Sequence, residues 1–137
     1  MKQIVFVCVH NAGRSQMAEA FFNHFARERG VDAIGLSAGT APRAEINAVA
    51  VQAMGELGIP MDGQTPKLLT PELAASADEL ITMGCGVEAD MCPAGAYLSE
   101  DWGLDDPMGK SIEGVRQVRD QIRERVEILL ARLGDGP

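Results

Sequence analysis

The sequence predicts a single α/β domain, a four-stranded parallel sheet flanked by helices on both faces. Three observations predict it. Short β-branched or apolar runs alternate with amphipathic helical stretches, the order that builds a parallel sheet through crossover connections. At 137 residues the chain suits one domain spanning 1–137, with no repeat or linker composition inside it. Hydrophobic residues make up 46% and charged residues 23%, enough to bury a core, while no apolar run is long enough to span a bilayer.

The elements follow in order. Lys2–Val7, unbroken and β-branched or aromatic from Ile4 on, predicts a buried strand. A Gly-containing loop follows over Cys8–Arg14. Ser15 opens a helical stretch, Gln16–Glu28, with Met17, Ala18, Phe21, Phe22 and Phe25 at helical spacing and Gly30 as the stop. Ala33–Ala38 predicts a second strand. Glu45–Leu57 predicts a helix through Ile46, Val49, Ala50, Ala53, Met54 and Leu57, ended by Gly58 and Pro60. Pro71–Ala77 is a short helix with Thr70 as cap and proline at its first position. Glu79–Met83 predicts the third strand and Ala96–Leu98 a short fourth. Ile112–Leu133 carries a long stripe from Ile112 to Leu133, with Ser111 as cap and Gly134 as stop.

In parallel sheets ligands bind beyond the C-terminal ends of the strands. Cys8 follows the first strand, Cys85 the third, and Asp106 lies a loop beyond the fourth. Three chemically capable residues are thus expected at one edge.

Acidic residues outnumber basic ones 20 to 12, a formal charge of −8. That balance disfavours binding to nucleic acid or to an anionic membrane, and an anionic substrate needs a local positive site to overcome it. No secretory signal is read at the N-terminus, so a cytoplasmic location is expected. The three cysteines are an odd number, which favours catalytic or redox thiols over a disulfide framework. Cys85 and Cys92 are spaced more widely than zinc-ligand pairs and the only histidines are His10 and His24, so no metal site is expected.

The segment Cys8-Val9-His10-Asn11-Ala12-Gly13-Arg14-Ser15 places a cysteine, five residues, an arginine and a serine between a strand and a helix. Such a loop turns successive N–H groups inward as an anion nest, here Val9 to Ser15, and the helix dipole adds positive potential. Arg14 supplies a fork for two oxygens of a tetrahedral oxyanion. A thiol in that field loses its proton readily, so Cys8 is expected to be a thiolate nucleophile with Ser15 donating to it. Gly13 is expected to permit a backbone angle that other residues resist. The alternative, a buried strand-end cysteine beside a surface arginine, ignores the strand–loop–helix context. Phosphate and arsenate fit this cradle equally well.

A transfer from an oxyanion needs an acid for the departing oxygen, and Asp106 of Asp105-Asp106-Pro107 is the candidate. Without the anion loop this would read as a turn leading into a helix. Glycines flank Cys85 on both sides. A segment able to carry Cys85 to Cys8 and then to Cys92 has no use in a phosphatase, but serves a reductase that draws electrons from two thiols and exports the disulfide.

The stretch Val7–Glu19, VCVHNAGRSQMAE, resembles the active-site segment of arsenate reductases built on the low-molecular-weight tyrosine phosphatase fold. Ser37-Ala38-Gly39-Thr40, Gly63-Gln64-Thr65, Cys85 with Cys92-Pro93, and Trp102-Gly103-Leu104-Asp105-Asp106-Pro107 recur in order, so the resemblance covers nearly the whole chain. It implies that Cys8 attacks arsenate while Asp106 protonates the leaving oxygen. Cys85 then attacks Cys8 and releases arsenite, Cys92 takes over the disulfide, and thioredoxin reduces it. It further implies that Arg14 binds the oxyanion, Ser15 tunes the thiolate and Asn11 holds the loop. Some relatives bind potassium through Asn, Glu, Ser and Asp. Asn11, Glu19 and Ser37 match, but Lys67 stands at the Asp position, which argues against a potassium requirement. No tightly bound cofactor is implied, and the protein is expected to be a monomer. Two alternatives stand beside this: a tyrosine phosphatase, against which Met108 replaces the aromatic residue usual after Asp-Pro, and an arsenate reductase that uses mycothiol or glutaredoxin. A non-enzymatic oxyanion sensor would differ from all of these in tolerating loss of Asp106.

Overall fold

A computed structural model describes residues 1–83, 100–104, 107 and 109–134. Its strands are β1 (Lys2–Cys8), β2 (Ala33–Gly39), β3 (Glu79–Thr82) and β4 (Glu100–Asp101). Its helices are α1 (Arg14–Arg29), α2 (Ala48–Gly55), α3 (Pro71–Ser76) and α4 (Ile112–Gly134). The strands form one parallel sheet in the order β2-β1-β3-β4. The most apolar strand, β1, lies inside, paired on both edges, as a run without polar alternation requires.

The period of two along β1 sorts its side chains onto two faces. Ile4, Phe6 and Cys8 join Met17, Phe21 and Phe22 of α1, Met54 of α2 and Ile122 and Val126 of α4. Val5 and Val7 join Ala38, Leu80, Leu69 and Ala74 of α3 on the other. Helices thus cover both faces, and residue 8 emerges at the C-terminal edge with its side chain on the α1 side. Phe6 lies between Phe22 and Trp102, with ring centroids 5.7 Å from each.

Three elements differ from expectation. The helix predicted from Glu45 begins at Ala48, because Asn47 caps it, accepting from Val49 N at 2.8 Å. The strand expected over Ala96–Leu98 lies outside the described residues, and the fourth strand described is Glu100–Asp101. Its two acidic residues carry no apolar pattern; register with Ile81 and Thr82, and a Thr82 Oγ1 hydrogen bond to Asp101 at 2.6 Å, hold them. On α4, where a run of arginines alternating with acidic residues reads as a solvated face, Arg119 is buried. It donates to Ala53 O at 2.9 Å and pairs with Glu56, tying α4 to α2. Hydrogen bonding to Arg116, aided by Arg119, holds the Glu56 carboxyl down at about 2. Ser111 caps α4 as expected, its Oγ accepting from Gly114 N at 3.4 Å.

Candidate active site

The anion loop begins where β1 ends. Its carbonyls are all drawn backward. Val9 O accepts from Ala41 N at 2.8 Å, His10 O from Arg43 N at 3.0 Å and Ala12 O from Asn47 N at 2.8 Å. Asn11 O accepts from Gln16 Nε2 at 3.0 Å, and Gly13 O from Met17 N at 2.9 Å as the first helical bond. In a trans peptide the next residue's N–H points opposite to the carbonyl, and no described peptide bond is cis. The N–H groups of His10 to Arg14 therefore turn to the other side, toward a cavity of about 380 Å³. That is the anion nest, and α1 opens on it with no side chain capping its first amides.

The cavity is lined by Cys8, His10, Ala12, Gly13 and Arg14, by residues 43–47, and by Pro107. Asn11 and Ser15, expected among the oxyanion-facing residues, are fully buried and act from behind the loop through their side chains, while Val9 is half-buried. Asn11 is also the only described non-glycine residue with positive φ, at 48°. Gly13 has φ −134° and ψ −87°, neither helical nor extended, the unusual angle expected of it, and it also provides room, since a Cβ there would lie 2.7 Å from Pro107 Cγ.

Cys8 Sγ lies 2.9 Å from Ser15 Oγ. Ser15 Oγ accepts from Asn11 Nδ2 at 2.7 Å, which leaves the hydroxyl proton for the sulfur. Arg14 is buried, and its Nη1 donates to Met83 O at 2.8 Å and Leu104 O at 2.9 Å. One guanidinium thereby joins the loop to the chain leaving β3 and the chain leaving β4. Its orientation over the nest is fixed before any anion arrives, which lowers the ordering cost of binding.

A second cluster backs the loop. Ser37 Oγ donates to Glu19 Oε1 at 2.7 Å, and the Lys67 ammonium stands 3.7 Å from the same oxygen. Lys67 N donates to Asn11 Oδ1 at 2.9 Å. Asn11, Glu19, Ser37 and Lys67 are thus neighbours, and a cation is already supplied by the lysine, so this donor set does not fit an additional potassium ion. Among the described residues no group of His, Cys, Asp and Glu could hold a metal ion, and no helix is long and apolar enough to cross a membrane.

Cys85, Cys92 and Asp106 lie outside the described residues, as do Asp105 and Met108. Their described neighbours converge on the loop: Met83 and Leu104 on Arg14, Pro107 on Gly13 and the cavity wall. The sequence reading missed the 41–47 segment, whose amides draw the loop carbonyls outward, and the buried Gln16 and half-buried Gln64. For the first, Asn47 before an apolar run was a readable cap signal. For the glutamines, one polar residue inside a helix (Gln16) and one in a loop (Gln64) carried no signal of a contact with the anion loop.

Comparison with known proteins identifies the family. The model described as low molecular weight phosphotyrosine protein phosphatase matches residues 3–136. The chain belongs to that family. Among its relatives is a protein of Synechocystis sp. named glutaredoxin arsenate reductase, 37% identical, with 97% of this chain and 99% of the relative aligned. A solved structure described as an arsenate reductase in the phosphate binding state is 37% identical with a TM-score of 0.83, covering 97% of this chain and 99% of that one. A solved arginine phosphatase is 29% identical with a TM-score of 0.86, covering 97% and 96%. The low-molecular-weight phosphatase family thus includes both oxyanion reductases and phosphatases on this scaffold.

Proposed function

We propose that this chain reduces arsenate to arsenite by a three-thiol relay, with thioredoxin as the electron donor. The observation that carries it is the Cys8 sulfur lining a preformed oxyanion cavity, 2.9 Å from the Ser15 hydroxyl and beside Arg14. The relay's second and third thiols rest on the sequence, Cys85 and Cys92.

Arsenate enters with its oxygens on the N–H groups of His10 to Arg14 and on the Arg14 guanidinium. The Cys8 thiolate attacks arsenic, and Asp106 gives a proton to the departing oxygen, which leaves as water. The Cys85 thiolate then attacks Cys8 Sγ. The S–As electron pair stays with arsenic, which falls from As(V) to As(III) and leaves as arsenite, and a Cys8–Cys85 disulfide forms. The Cys92 thiolate attacks Cys85 Sγ, returning Cys8 as thiolate. A thioredoxin dithiol then takes the Cys85–Cys92 disulfide, supplying two electrons and two protons.

Arsenate is favoured over an arylphosphate because two further thiols follow the loop and no aromatic residue follows Asp106-Pro107. Slow hydrolysis of small phosphate esters is expected on the same cradle. The test is arsenite production from arsenate with thioredoxin, its reductase and NADPH, beside a parallel reaction with glutathione and glutaredoxin. Sustained turnover in the first supports the proposal. Turnover in the glutaredoxin reaction alone replaces the donor, and arsenite from neither overturns both and leaves mycothiol or a phosphatase, which an aryl phosphate assay decides.

A further inference from the structure

The loop's own residues do not by themselves fix which way the hydrogen bonds run at Cys8. Behind the loop lies an uninterrupted series of side-chain amides. Gln64 Nε2 donates to Gln16 Oε1 at 2.8 Å and to Gln16 O at 3.0 Å. Gln16 Nε2 donates to Asn11 Oδ1 at 2.9 Å and to Asn11 O at 3.0 Å. Asn11 Nδ2 donates to Ser15 Oγ at 2.7 Å, and Ser15 Oγ lies 2.9 Å from Cys8 Sγ.

Main-chain atoms settle the direction of each amide link. Gln16 O can only accept, so the end of Gln64 beside it is the amide nitrogen. Asn11 O can only accept, so the end of Gln16 beside it is the nitrogen, and Gln16 Oε1 faces Gln64. Lys67 N can only donate, at 2.9 Å, so the end of Asn11 beside it is the oxygen. Asn11 Nδ2 is then left for Ser15, and a Cys8 thiolate, which can only accept, takes the Ser15 hydroxyl proton. Reversing any one amide would set donor against donor or acceptor against acceptor. Asn11, Ser15 and Gln16 are fully buried, where an unmade bond is costly and aligned bonds strengthen one another.

We propose that Gln16 and Gln64 are positioning residues that polarise this series toward the Cys8 thiolate and hold Asn11 in its left-handed conformation. Neither touches the oxyanion cavity. Gln16 grips both carbonyl oxygens of Asn11, the one described non-glycine residue with positive φ, and Gln64 grips both carbonyl oxygens of Gln16. The proposal rests on Cys8 being the nucleophile. It does not depend on the oxyanion being arsenate.

The test is the pH dependence of Cys8 alkylation by iodoacetamide in a Cys85→Ser, Cys92→Ser background, where Cys8 is the only thiol of the chain. Gln16→Met and Gln64→Met keep side-chain length and remove the amide. Among the described residues, the charged and titratable groups that line the cavity with Cys8 are Arg14 on α1, His10 in the loop, and Arg43 and Glu45 on the β2–α2 connection, and every variant retains them. The midpoint is expected to rise by roughly 0.5–1 unit in Gln16→Met and by less in Gln64→Met, with the plateau rate at high pH unchanged. Alkylation at a pH below both midpoints then falls about three- to tenfold. Unmoved midpoints in both variants overturn the proposal, as does a lowered plateau with an unmoved midpoint, which marks a purely structural role. If Gln16→Met does not fold, the half-buried Gln64 carries the test alone. Alkylation needs neither arsenate nor reductant, so its result is separate from that of the turnover assay.

Discussion

Gly39 closes β2 directly opposite Cys8 in the parallel register. A Cβ at this position would lie 2.6 Å from Val9 O, 2.9 Å from Asn11 Cβ and 3.0 Å from Asn11 N. Two of those three atoms are main chain of the anion loop, so no flexible side chain can swing aside. Gly39→Ala must therefore push the loop or bend β2, and β2 is held on its other side through Gly39 N to Lys67 O and Leu69 N to Gly39 O, both at 2.8 Å. The loop is the part that yields. Overpacking of this kind costs about 1–3 kcal/mol, which lowers Tm by roughly 4–12 °C for a domain of this size. A displacement approaching an ångström at a reacting group can cost about 100-fold in rate. We expect kcat/KM for p-nitrophenyl phosphate, used as a reporter of the cradle, to fall about 10- to 100-fold, with weaker inhibition by inorganic phosphate. Gly55→Ala is the matched control, because a Cβ there meets nothing within 4 Å and helix propensity favours it by up to about 1 kcal/mol. A folded Gly39→Ala variant with wild-type kcat/KM and phosphate inhibition would refute the claim that this close approach sets the loop's position.

Three further outcomes are expected. Ser15→Ala removes the hydroxyl 2.9 Å from Cys8 Sγ; a hydrogen bond to a charged group is worth about 1.5–3 kcal/mol, so kcat/KM at neutral pH should fall about 10- to 150-fold, and a loss below threefold in steady-state kinetics would show that the serine does not serve the thiolate. The Glu56 carboxyl is held at about 2, below its ordinary value of 4.5, so its contribution to stability is complete above pH 4.5 and is lost as pH falls through about 2; Glu56→Gln should lower the urea midpoint at pH 7, with the gap to wild type closing toward pH 2 and shrinking in high salt, and a gap that is constant with pH would contradict this. Because the Lys67 ammonium stands beside Glu19, thermal melting and activity should be the same in sodium and potassium buffers, whereas Lys67→Asp should show a higher Tm in potassium; potassium activation of the unaltered chain would show that the lysine does not fill the site.

The sheet, the long helices and the nucleophile were legible because each has a local signature. Ile4–Val7 is apolar without alternation because β1 is covered on both faces, and Cys8, five residues and Arg14 are contiguous in sequence. What stayed hidden depends on partners distant in sequence. Glu100 and Asp101 form a strand through register with β3, against their own composition. Arg119 looks like one more charge on an exposed helix and is buried only because Ala53 O and Glu56 meet it. The positive φ of Asn11 was not announced either, since side-chain hydrogen bonds to Gln16 sustain it, and neither was the close approach of Pro107 to Gly13. The outward turn of the loop carbonyls is written in the backbone of residues 41–47, which no side-chain pattern announces.

The central claim is that three thiols act in sequence, and the most direct measurement is a single-turnover experiment on Cys92→Ser. The variant is mixed with arsenate without any reductant, quenched with an alkylating agent, and its disulfides are mapped by mass spectrometry while arsenite is counted. The account predicts about one arsenite per chain and a trapped Cys8–Cys85 disulfide. Sustained arsenite production by this variant with thioredoxin, or arsenite release with Cys85 still alkylated as a free thiol, would contradict it.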